Sequence, residues 1–124
     1  MPRVLIAEDE ADTARALAEF LEGRGHEVRV AHHSDEALAL GRTFAPEVLL
    51  CSLLLEGGKG GVEVARRLCA VHPELHVLFI SGLPVEALDQ DLAGIPVREI
   101  LVKPVGLEQI TRAVETATRD GRTR

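Results

Sequence analysis

Apolar residues along the chain recur at two different spacings. RVLIA (3–7), HEVRVA (26–31), EVLLCS (47–52), LHVLFIS (75–81) and VREILV (97–102) are short runs, either alternating or nearly continuous in Val, Leu and Ile, as strands require. The segments between them carry apolar residues three and four positions apart: Ala14, Leu17, and Phe20 or Leu21 in ADTARALAEFLEGRG, and Val62, Ala65, Leu68 and Cys69 in VEVARRLCAVH (62–72). DEALALGRTF and LEQITRAVETAT (107–118) complete the helical set, the latter with Leu107, Ile110, Val114 and Ala117 on one side. Gly23 and Gly25, Pro46 and Pro73 stop the first three helices, Ser34 is placed to cap the second, and Gly94 closes a short helix expected within 82–94.

Five strands alternating with five helices predict an α/β domain: a doubly wound, five-stranded parallel sheet covered on both faces. In such sheets the ligand crevice lies beyond the carboxyl ends of the strands, where strand order reverses. The residues that end strands therefore carry the candidate chemistry. These are Glu8 and Asp9 after the first, Ser52 at the third, Ser81 at the fourth and Lys103 at the fifth. One domain is expected over 1–119, with 120–124 as a frayed polar tail.

Composition narrows the partners. The net charge of −6 gives no global basic surface to attract nucleic acid or anionic lipid, so neither is expected as a partner. No apolar run reaches membrane-spanning length and MPRVLIAEDE lacks the pattern of a signal peptide, so a cytoplasmic protein is expected. Cys51 and Cys69 lack metal-ligand spacing and read as small buried hydrophobes. GGKGG (57–61) fails as a phosphate loop because Lys59 is followed by Gly60, and it reads as a flexible, solvated loop. His32 and His33 read as exposed turn residues.

Taken together, VLIAEDEADT, PEVLLCSLLLEGGKGGVEVARRL, VLFISG and ILVKPVGLEQI resemble the receiver domain of two-component response regulators over essentially the whole chain. The resemblance implies a CheY-like (βα)5 fold with strand order 2-1-3-4-5. In that family an aspartate ending the third strand takes a phosphoryl group from a histidine kinase, using Mg²⁺ held by an acidic pair. Carried over by position, Glu8 and Asp9 match the acidic pair, Ser81 the hydroxyl residue that contacts the phosphoryl group, and Lys103 the lysine that pairs with it. Pro104 follows that lysine, where the family commonly has a cis bond. Ile100 takes the place of the family's switch aromatic. The acceptor position falls on Ser52, six residues after Pro46 and nine before Gly61. The neighbouring Cys51 would point to the opposite side of the sheet.

The resemblance thus implies a degenerate receiver. A serine hydroxyl is protonated at neutral pH and a poor nucleophile without a base. Metal binding is expected to be weak or absent, because Mg²⁺ favours oxygen ligands and one of three carboxylates is missing. Losing one unit charge at about 4 Å forfeits on the order of 4 kcal/mol per unit of cation charge at an effective dielectric of ~20, before hydration is subtracted. Glu56 lies in the right loop to replace the lost ligand, but on a glycine-rich segment it is expected to face solvent. Lys103 is expected to pair with Asp9 or Glu8. The reading is a non-enzymatic module, freestanding and without its own output domain, that binds signalling proteins or a second copy of itself through the 85–117 face. That face comprises Val85 to Leu92, Val97 to Val102 and Leu107 to Ala117, with Ala113 and Ala117 as contacts that the core also claims. A phosphorelay receiver with a non-aspartate acceptor and a small enzyme on the same fold are the alternatives. A flavin site is opposed by the acidic EDE after the first strand, and a serine hydrolase by the absence of a histidine at the relevant strand ends.

Overall fold

A computed structural model of the chain describes residues 2–55, 60–84 and 92–122. In chain order the elements are β1 (Arg3–Ala7), α1 (Ala11–Gly23), β2 (Glu27–Ala31), α2 (Ser34–Phe44), β3 (Val48–Ser52), α3 (Gly60–Val71), β4 (His76–Ser81), β5 (Val97–Val102) and α4 (Leu107–Arg122). The strands pair in parallel in the order β2-β1-β3-β4-β5, the doubly wound arrangement the alternation predicts. The short helix expected within 82–94 falls largely on residues outside those described.

Burial explains why the strands read as they do. β3 is buried from Val48 to Cys51 and β4 throughout, because helices cover both faces of the central strands. The edge strand β5 instead exposes Arg98, Glu99 and Val102. On one face Leu5, Leu49, Cys51 and Phe79 pack against Ala37 of α2 and Val64, Ala65 and Leu68 of α3. On the other, Ile6, Leu50, Leu78 and Ile80 pack against Leu17 and Leu21 of α1 and Ile110, Val114 and Ala117 of α4. Adjacent residues of one strand thus serve opposite layers, as the pleat dictates.

Three helix ends differ from expectation. Ser34 is the first helical residue of α2, and His33 before it is the N-cap, with no side-chain cap bond. α3 starts at Gly60, two residues early, and α4 continues to Arg122, past the last apolar position of its stripe. Hydrophobic periodicity cannot see a polar final turn. α4 is fastened to the turn after α1 by a two-pronged bond, Arg24 Nε and Nη2 donating to Glu115 at 3.0 and 2.9 Å, which holds the Glu115 carboxyl below the usual range.

α2 ends on Ala45 in the left-handed region (φ 52°, ψ 63°), a conformation that costs an L-residue with a Cβ. Its carbonyl accepts a bond from Arg3 Nε at 3.0 Å, which fixes the chain's turn into β3. Ala45→Gly is expected to stabilise the fold by roughly 0.5–1 kcal/mol, strain relief exceeding the added chain entropy of the unfolded state. Urea unfolding measures it, and a loss of stability would contradict this account.

Candidate functional site

The topology reverses between β1 and β3, so the crevice lies beyond Ala7 and Ser52. Backbone bonds draw the strand ends into one edge: Glu8 N–H donates to Ala31 O at 2.9 Å, Leu53 N–H to Ile80 O at 2.9 Å, and Lys103 N–H to Ser81 O at 2.8 Å. The strand-end residues singled out from the sequence therefore meet along the carboxyl edge of the sheet.

Glu8 is only 4% exposed. Its Oε2 accepts the Glu10 N–H at 3.0 Å, whereas Oε1 is buried with no hydrogen-bond partner. Burial pushes the carboxyl above the ordinary glutamate value. The Glu10 amide pulls it back, the hydrogen-bonding Asp9 carboxyl raises it, and the Lys103 charge lowers it. Asp9 itself is exposed.

A raised folded-state value has a defined linkage sign. The Glu8 contribution to stability is present below the unfolded carboxylate value and is lost as pH rises through the raised one. Glu8→Gln keeps an acceptor for the Glu10 amide and removes the buried charge. It is expected to stabilise the fold near pH 7.5, with the gain shrinking in mild acid. Melting curves across pH measure this, and a variant less stable than the parent at pH 7.5 would refute it.

Ser52 is half-buried at the end of β3, opposite Ile80, and its hydroxyl has no hydrogen-bond partner among the described residues. Cys51 beside it is fully buried in the α2/α3 layer. Burial, reinforced by the Glu8 charge, pushes its thiol far up, so it is an inert packing residue. Ser81 is buried and its hydroxyl is committed to the turn that follows, donating to Leu83 O at 2.9 Å and accepting from Leu83 N–H at 3.0 Å. That is the local use expected of a serine at a strand end. Ile100 is half-buried against the α2/α3 layer.

The expected ion pair of Lys103 with Asp9 or Glu8 is not made. Lys103 is exposed, none of the described residues pairs with it, and Glu8 senses its charge without contact. An exposed, hydrated ammonium gains little from such a pair. The Lys103–Pro104 bond is cis.

Two features went unread in the sequence. His32 is half-buried rather than a free turn residue: its Nδ1 lies 3.1 Å from Glu8 O, and its N–H donates to Glu36 Oε1 at 2.8 Å, which ties the pocket wall to α2. The only sequence signal for it is its place directly after β2. The second is Gly61, which is a close-approach position and not part of a loose loop. A Cβ there would stand 2.1 Å from Ser52 O and 2.7 Å from Leu53 O. Glu56 and Lys59 lie outside the described residues, as does most of 85–92. Ala117 is claimed by the core at 1% exposure, and Ala113 packs partly against it.

Among the described residues no group of three or more His, Cys, Asp or Glu side chains is placed to hold a metal ion, and no helix is long and apolar enough to cross a membrane.

Residues 4–115 match the response regulator receiver domain family. The chain is 33% identical over 116 residues to the response regulator receiver protein CpdR of Brucella abortus (strain 2308), covering 93% of this chain and 95% of that protein. Three other relatives are longer, the chain spanning 53%, 46% and 12% of them. Among solved structures, a receiver domain protein (CheY-like) from Methanospirillum hungatei JF-1 superposes with a TM-score of 0.89 at 18% identity, covering 99% of this chain and 98% of that one, a likeness of fold alone. A response regulator protein from Burkholderia pseudomallei, solved with a phosphorylated aspartic acid, calcium ion and citrate, superposes at 0.81 with 28% identity, covering 99% of this chain and 72% of that one. With the sheet order and the strand-end constellation already in hand, these matches establish that the chain belongs to the response regulator receiver domain family, a signalling module of two-component systems.

Proposed function

We propose that this receiver is a protein-binding module in which Ser52 stands at the phosphoacceptor position, so that it regulates a signalling partner by contact and not through an aspartyl phosphate. The observation that carries this reading is the residue ending β3. Ser52 lies at the carboxyl edge with Glu8, Ser81 and Lys103, and neither it nor Cys51 is a carboxylate. An acyl phosphate needs a carboxylate oxygen, and a neutral hydroxyl without a base offers no substitute.

The same residues fit Mg²⁺ poorly. They supply two carboxylates where the family uses three. Millimolar Mg²⁺ is expected to raise the melting temperature by less than about 1 °C, since stabilisation follows RT ln(1 + [L]/Kd). A shift of several degrees would contradict the reading.

The partner surface proposed is β5 with α4 and the 85–92 segment, where Arg98, Glu99, Arg112 and Thr116 are exposed. Intact-mass analysis after incubation with acetyl phosphate and Mg²⁺ tests the function directly. No adduct is expected. A stable phosphoserine would favour a relay that uses a different acceptor.

A further inference from the structure

No further inference is drawn: the strongest candidate, the apolar groove of about 650 Å³ between the start of α1 and the Lys103–Val105 turn, borders the site already described, and nothing in the structure shows what covers it.

Discussion

Cys51→Asp is expected to cost on the order of 4 kcal/mol and to leave little folded protein at 37 °C, whereas Ser52→Asp, one residue away, is expected to fold. Cys51 has no exposed surface and packs in the layer of Leu49, Phe79 and Leu68. Its thiol finds only weak contacts, Ser52 O at 3.4 Å and Gly61 O at 3.7 Å, both acceptors that would repel a carboxylate. An aspartate there must be buried without a donor or must carry a proton, and either state opposes folding. Ser52 is half-buried at the crevice, where an added carboxylate keeps contact with water. Urea unfolding of the two variants separates them. Equal losses would mean that the strand's alternation does not place these two side chains in different environments.

Gly61→Ala is expected to cost about 3 kcal/mol despite the better helix propensity of alanine. The new Cβ would stand 2.1 Å from the carbonyl oxygen of Ser52 and 2.7 Å from that of Leu53. Both are backbone atoms at the end of a central strand, so no side-chain rotation relieves the overlap, and α3 or the strand end must move. Gly23→Ala is the control, since a Cβ there meets nothing within 4 Å, and it should keep stability or raise it by up to about 1 kcal/mol. A Gly61→Ala variant as stable as the parent would show that α3 shifts freely relative to Ser52.

The fold was legible because its signals are local and redundant. Five strand-length runs, four amphipathic stretches and the breakers Gly23, Pro46 and Pro73 all describe the same alternation, and a parallel sheet buried on both faces leaves continuous apolar strands such as VLLC. The strand ends were legible for the same reason, since Glu8, Ser52, Ser81 and Lys103 follow from where the apolar runs stop. Side-chain partnerships across the crevice were not. Lys103 lies near the acids in the fold, yet whether it pairs depends on burial and hydration, which no pattern encodes. His32 reaches the carbonyl of Glu8 from just beyond the end of β2, a contact between residues 24 positions apart that leaves no local mark. Gly61 sits in a glycine-rich run that composition reads as flexible, whereas its reason is the closeness of a backbone carbonyl.

The central claim is that a receiver pocket persists around a missing carboxylate. Ser52→Asp tests it in one measurement: the variant is incubated with acetyl phosphate and Mg²⁺ beside the parent chain, and phosphoryl incorporation is followed by intact mass with and without hydroxylamine. The account predicts a hydroxylamine-sensitive adduct on Ser52→Asp that requires Mg²⁺, and none on the parent, because the substitution supplies both the nucleophilic carboxylate and the third metal ligand beside Glu8 and Asp9. A hydroxylamine-sensitive adduct on the parent chain, or none on a folded Ser52→Asp variant, would contradict it.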